Sequence, residues 1–201
     1  MKLYFSPGAC SLSPHIVLLE AGLDFTSERV DLREKKTAGG EDFRAINPKG
    51  YVPALALDDG SVLTEGPAIV QYLADRAPGA NLLPPVGDGA RYKVISWLNY
   101  IATELHKNFS PLFNPAATED MKAHARKMLA LRLEYVAAQL GGREFLETRF
   151  SVADAYLFTV LGWTERVGVS LADWPVLGEY RVRIAARPAV QQALREEGLI
   201  K

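Results

Sequence analysis

The chain changes character across a dozen residues. Between Pro78 and Gly89 it carries three prolines and three glycines and shows almost no periodicity, the composition of a boundary between folding units. Before that stretch, apolar runs are short and separated by turn formers. After it, apolar residues recur at helical spacing almost to the end. At 201 residues there is length for two small units, each with its own core.

In the first stretch Leu3-Tyr4-Phe5 is a short strand, and Ser6-Pro7-Gly8 a turn. A helix then includes His15–Glu20, with Ser11 or Ser13 as N-cap and Pro14 in its first turn. Thr26–Val30 reads as a second strand, followed by a polar loop over 31–40 and at best a short helix over Glu41–Ile46. Val52–Leu57 and Ser61–Leu63 form a hairpin about Asp58-Asp59-Gly60, and Pro67 sits in the first turn of a helix over Ala68–Arg76. The order is βαβαββα, a mixed sheet with helices against it.

The second stretch is wholly helical. Ile95, Leu98, Ala102, Leu105 and Phe109 alternate by three and four on a helix from near Asp88 to just before Pro111. Thr118–Leu140 is a second long helix, stopped by Gly141-Gly142. Ser151 and Asp154 form a capping-box pattern ahead of Ala155–Leu161, which is apolar nearly all round and belongs at a core's centre. Helices over Pro175–Ala186 and Pro188–Glu197 close the chain. The expected domains are 1–80 and 88–201, with a linker over about 81–87.

Cys10 is the only cysteine, so no internal disulfide is available. It lies between a turn and a helix N-terminus, where free N–H groups and the helix dipole favour an anion and lower a thiol pKa. Asn99, Thr103 and His106, four and three apart, make a polar stripe beside the apolar row of their helix, the pattern of a helix lining a wet cleft. His15 and His124 have no such company and read as structural or solvated. No Cys/His spacing suits a metal, and no P-loop, Rossmann glycine pattern or nucleophile elbow occurs. A net charge of -1 without a basic block argues against a nucleic-acid partner. The first residues lack a signal peptide's apolar run and no segment is long enough for a membrane span, so the expected location is the cytoplasm.

Five segments in this order, SPGACSLSPHI, NPKGYVPAL, LTEGPAIVQYLAD, NYIATELHK and FSVADAYLF, resemble the cytosolic glutathione transferases along the whole chain. The cysteine in the first turn resembles the bacterial beta class. The resemblance implies a thioredoxin-like N-terminal domain followed by an all-helical C-terminal domain. It also implies glutathione as co-substrate, no metal, and a homodimer.

Site residues follow from the same resemblance. Val52-Pro53 matches a cis-proline turn on which the cysteinyl part of glutathione docks like an added strand. Glu65 would take the γ-glutamyl ammonium and the Gly66 N–H its carboxylate; many relatives carry serine at position 66. Lys35 would face the glycyl carboxylate. Asn99, Thr103 and His106 would face the thiol site, with His106 near the sulfur, and the segment including Glu104 would also reach the partner subunit's site. Cys10 and His106 are the catalytic candidates, with Ser11 and Tyr4 as rival donors to the sulfur. Tyr4, Phe5, Phe109, Phe113 and Trp163 are candidates to hold the electrophile.

The implied reaction joins the glutathione sulfur to a hydrophobic electrophile, in detoxification or in the catabolism of aromatics. Two thiols in contact resist ionising together. If Cys10 stays a thiol it donates to the glutathione thiolate, which gives conjugation. If it is the thiolate it forms a mixed disulfide, which gives thiol–disulfide exchange. A non-enzymatic ligand-binding member of the fold is the remaining alternative.

Overall fold

A computed structural model describes all residues, Met1–Lys201. It divides into two compact units, Met1–Pro85 with Arg187–Lys201, and Val86–Ala186.

The first unit is built on a five-stranded sheet of β1 (Lys2–Phe5), β2 (Thr26–Asp31), β3 (Lys36–Thr37), β4 (Ala54–Ala56) and β5 (Val62–Thr64). The strand order is β3-β2-β1-β4-β5. Only β1 and β2 run parallel, with Leu3 opposite Ser27, and α1 (Leu12–Glu20) is the crossover between them. β4 pairs antiparallel with β1, Leu3 opposite Leu55, and with β5, Leu55 opposite Leu63. Alternation along β1 sends Tyr4 to one face, where it packs with Val30, Phe43, Val52 and Ala54. Phe5 meets the ring of His15 from α1. Phe43 belongs to α2 (Phe43–Ile46), capped by the Asp42 carboxylate, which accepts from Arg44 N at 2.9 Å. On the other side α1 packs against α3 (Gly66–Arg76) and α10 (Pro188–Glu196).

The second unit comprises α4 (Gly89–Tyr100), a π-helical stretch Ile101–His106, α5 (Lys107–Phe113), α6 (Glu119–Leu140), α7 (Val152–Leu161), α8 (Trp163–Arg166) and α9 (Pro175–Ala185). Every residue of α7 is buried, as its nearly all-apolar sequence predicts, and it packs against α4, the π stretch, α8 and α9. The capping box closes its start. Asp154 Oδ2 accepts from Ser151 N at 2.9 Å and Ser151 Oγ at 2.8 Å, and Oδ1 from Leu146 N and from the Tyr180 hydroxyl, both at 2.9 Å. One fully buried carboxylate thereby ties together a helix start, the preceding loop and α9.

Four expectations change. Residues 31–40 are not all loop: Lys36-Thr37 pairs with Val30 and Asp31 as β3. The helix expected to stop before Pro111 runs on to Phe113, because proline removes one N–H and only two residues follow it. Ser11 is not a side-chain cap. Its backbone is already helical, and its hydroxyl accepts from Ser6 N at 3.1 Å and donates to Ser6 O at 3.3 Å, so it closes the preceding turn. Finally, Arg187–Lys201 falls in the first unit, not in a second domain spanning 88–201. The amphipathic α10 buries Val190 and Ala193, and Arg187 donates through Nε and Nη2 to the two Glu20 oxygens at 2.6 and 2.8 Å, locking it to α1.

Candidate functional site

In the first unit the candidate residues gather at the C-terminal end of β1 and around the Val52-Pro53 bond, which is cis. Cys10 lies in the turn before α1, half-buried, and its thiol donates to Val52 O at 3.1 Å. Gly8, two residues earlier, takes φ +65, which a side chain would resist. Since β4 begins only at Ala54, Val52 stands outside the ladder of paired strands. The turn around it is braced by Asn47, whose Nδ2 donates to Tyr51 O at 2.7 Å.

Glu65 and Gly66 stand at the start of α3. Glu65 has φ +71 and ψ 113, a conformation unusual for a residue with a side chain, and its exposed carboxylate is held by Lys49 Nζ at 2.6 Å. Gly66 is the first residue of the helix, with its N–H at the positive end of the dipole. A Cβ built there would meet nothing closer than Pro53 Cγ at 3.8 Å, so the glycine is not sterically required. Lys35, at φ +56, donates from Nζ to Gly50 O at 3.0 Å and lies 5.9 Å from the Tyr51 ring centre. The rival donors are otherwise occupied: the Ser11 hydroxyl proton goes to Ser6 O, and Tyr4 is buried against Phe43 beneath Lys2.

In the second unit the stripe predicted from spacing is only partly present. Asn99 and Thr103 are exposed together, but each is satisfied along its own helix, Asn99 Nδ2 donating to Ile95 O and Thr103 Oγ1 to Asn99 O. His106 does not share their exposure. The π winding over Ile101–His106 breaks the 3.6-residue repeat on which the stripe was drawn. Its Nδ1 lies 2.6 Å from the Tyr156 hydroxyl, and Trp163 meets the ring edge-on at 4.7 Å. Burial, helped by the neighbouring Lys107 charge, lowers its pKa to about 4, so the imidazole is neutral at pH 7. Glu104 is paired with Arg132 at 3.0 Å.

Of the aromatic candidates, Phe109, Phe113 and Trp163 form one cluster with His106, Trp163 standing edge-on to Phe109 at 5.5 Å and to Phe113 at 5.9 Å. Phe113 is 47% exposed, so the cluster presents an apolar face. Tyr4 and Phe5 belong instead to the sheet of the first unit. Reading the sequence missed Tyr156, one of the few polar side chains of α7, and Lys49, whose motif position gave no hint of its partner. It also missed Glu197, for which no local pattern exists. No group of three or more His, Cys, Asp or Glu side chains is placed to hold a metal ion.

Residues 8–76 match the glutathione S-transferase N-terminal domain, and residues 100–188 the glutathione S-transferase C-terminal domain. The chain belongs to the glutathione S-transferase family, within its bacterial beta class. It is 52% identical to glutathione S-transferase GstA of Escherichia coli O157:H7 over 99% of this chain and 100% of that one. The beta-class glutathione S-transferase of Sphingomonas chungbukensis superposes with a TM-score of 0.97 at 47% identity, covering 100% of both chains. A sphingomonad glutathione S-transferase solved in complex with glutathione gives 0.96 at 49% identity, again over 100% of both.

Proposed function

We propose that this chain joins the sulfur of reduced glutathione to hydrophobic electrophiles, with Cys10 acting as a hydrogen-bond donor rather than as the attacking group. The observation that carries this reading is the Cys10 Sγ–Val52 O hydrogen bond. The Val52 carbonyl can only accept, so a sulfur 3.1 Å from it is favoured as the thiol, with the proton beside the strand on which the tripeptide would dock. The solved complex of a relative with glutathione supports the same co-substrate.

In this reading the cysteinyl part of glutathione pairs with the Val52 backbone before cis Pro53. Glu65 takes the α-ammonium, the Gly66 N–H the α-carboxylate, and Lys35 the glycyl carboxylate. The glutathione thiol gives its proton to solvent, and the Cys10 S–H turns from Val52 O to the thiolate. His106, whose imidazole is neutral, is kept as the second catalytic candidate that the family resemblance implies. With an aryl halide the thiolate forms the carbon–sulfur bond, and halide leaves with the electron pair of the bond it breaks. Phe109, Phe113 and Trp163 offer the apolar surface for the ring, and Asn99, Thr103 and Glu104 are assigned to the polar margin of glutathione binding.

The partnership is read as a homodimer located in the cytoplasm. Tyr92, Leu131 and Tyr135 expose apolar surface on α4 and α6, and Tyr92, Trp97, Tyr100 and Tyr135 line a hollow there. No helix is long and apolar enough to cross a membrane.

The deciding experiment compares initial rates of glutathione conjugation to an activated aryl halide for wild type and Cys10→Ala. The expected result is turnover by wild type and a rate lowered by about tenfold, the loss of one weak hydrogen bond to a charged group, and not abolished, in the variant. A collapse of several orders of magnitude would make Cys10 the nucleophile. An inert wild type that exchanges disulfides with glutathione would replace conjugation by redox chemistry.

A further inference from the structure

The segment that carries His106 is wound unevenly, and its polar side chains follow the winding. Asn99 and Thr103 are four apart, and the next residue that bonds as they do is Asn108, five further on, across the π stretch Ile101–His106. Each of the three donates to a backbone carbonyl four residues before it. Asn99 Nδ2 donates to Ile95 O at 2.9 Å, Thr103 Oγ1 to Asn99 O at 3.0 Å, and Asn108 Nδ2 to Glu104 O at 2.6 Å. In π winding an N–H reaches back five residues instead of four, so one carbonyl is passed over where the helix returns to the α repeat. A side-chain donor counts for most at such a place. The α5 segment that follows lends little support, having seven residues with Pro111 among them, which removes a donor.

Glu104 is fixed through its side chain as well. Arg132 of α6 places Nε and Nη2 each 3.0 Å from Glu104 Oε2. Tyr100, which precedes the π stretch, donates its hydroxyl to Arg132 O at 3.2 Å. The stretch is tied to α6 at its start and its middle, and the Asn108 bond closes it over the remaining residues.

We infer that Asn108 is a positioning residue for His106: its bond to Glu104 O spans the histidine and holds the π turn that seats the imidazole against Tyr156 and Trp163. This rests on the reading of His106 as a catalytic candidate. The ring lies 2.6 Å from the Tyr156 hydroxyl and edge-on to Trp163, and a hydrogen bond weakens steeply once it is misaligned. Without the Asn108 donor, the part-buried Glu104 carbonyl turns to water and the turn around His106 loosens. Its flanks stay in place, because α4 packs on α7 and α5 on α6. The ring moves; the fold does not.

The test uses the full chain. Asn108→Leu keeps the size and removes the donor. Asn108→Ser keeps a donor able to reach a carbonyl four residues back, as Thr103 does. Three quantities are measured for each: titration of the His106 ring by NMR, kcat and KM for glutathione conjugation, and the thermal midpoint. Wild-type His106 titrates at about 4, held down chiefly by burial. In Asn108→Leu water reaches the ring, and its titration should rise by about one pH unit. The same variant should lose about three- to tenfold in kcat, with KM for glutathione within about twofold. Asn108→Ser should stay near wild type in both. An Asn108→Leu protein with wild-type ring titration and kcat, whatever its thermal midpoint, would make Asn108 a structural residue and overturn the inference. So would an Asn108→Ser protein as impaired as the leucine variant. Exchange of the Asn108 side-chain amide in wild type is a check that needs no variant, since a bonded proton should exchange about tenfold or more slowly than a free one. Exchange at the free rate overturns the inference even if the variants fail to fold. If wild type proves inert in conjugation, ring titration and amide exchange still decide the Asn108–His106 link, separating its failure from that of the proposed function.

Discussion

The Tyr156 hydroxyl lies 2.6 Å from His106 Nδ1, on a ring that burial keeps neutral down to about pH 4. A neutral imidazole carries one N–H, so the Tyr156 contact decides which nitrogen presents it. If Tyr156 donates, the proton is on Nε2 and Nδ1 is closed. Tyr156→Phe should then leave both tautomers accessible and lower kcat by about three- to tenfold, with little change in KM for glutathione. Nitrogen NMR of the His106 ring should show a pure Nε2–H tautomer in wild type and a mixture in the variant. The conjugation rate should show no titration of His106 between pH 6 and 8, because its pKa lies well below that range.

Gly66 is a place where a serine can be accommodated. Its backbone is helical, and the nearest atom to an added Cβ is 3.8 Å away. Gly66→Ser adds a hydroxyl beside the N–H assigned to the γ-glutamyl carboxylate. One further hydrogen bond to a charged group should tighten glutathione binding by about tenfold or more. Isothermal calorimetry checks this; an unchanged Kd would remove the carboxylate from the start of α3.

Lys49 occupies the group that glutathione's ammonium is assigned to use. Its Nζ is 2.6 Å from Glu65 Oε1, with both side chains well exposed, at 49% and 67%. An exposed pair contributes at most about 1 kcal/mol, so Lys49→Met should tighten glutathione binding by no more than about fivefold. Glu65→Gln should weaken it by more than that. Weaker binding in Lys49→Met would show that the lysine itself contacts the ligand.

Legibility divided along physical lines. The capping box at Ser151 and Asp154 and the buried α7 are readable because each depends on residues close in sequence, whereas the Val52-Pro53 turn comes only from the family resemblance, the residues alone reading as a proline that opens a strand. What failed were inferences that assumed a regular repeat or a partner. Spacing placed His106 on the stripe with Asn99 and Thr103, yet a π turn intervenes and no composition marks it. The amphipathic pattern of α10 announces a buried face but not what covers it, and the helix expected within 88–201 packs on α1 instead. Ser11 carries the chemistry of an N-cap, and a serine hydroxyl can equally bond backward, as it does to Ser6. His15 looked solitary because its partners lie some 180 residues away.

Asp154 should be the costliest single loss in the second unit. Burial raises its pKa, while bonds from Leu146 N, Ser151 and Tyr180 pull the other way. Asp154→Ala strips an acceptor from the buried Tyr180 hydroxyl, from Leu146 N and from Ser151 N together. Orphaning buried donors of this kind should cost about 3 kcal/mol or more, a fall of about 6–12 °C in thermal midpoint for a chain of this size. Differential scanning calorimetry checks the size, and Asp154→Asn should recover part of it by keeping one acceptor oxygen.

The two buried histidines should drive stability in opposite directions with pH. His106 is lowered by burial and by the Lys107 charge, so between its unfolded value of 6.5 and its folded value of about 4 the unfolded chain binds the extra proton. Stability is therefore lost as pH falls through that window, by about 3 kcal/mol in full. His15 is buried as well, which alone would lower it, but its bonds to Glu197 and Glu196 prevail and raise it. Its contribution is fully present below 6.5 and disappears as pH rises through the folded pKa. Chemical denaturation at half-unit steps from pH 4 to pH 9 separates the two. His106→Phe should flatten the acid limb and leave the alkaline limb alone. His15→Asn should destabilise most at low pH, with the difference from wild type shrinking above the folded pKa of His15. A difference that instead grows with pH would mean that His15 is held neutral between Glu196 and Glu197, each ring nitrogen serving its carboxylate in some other protonation pattern.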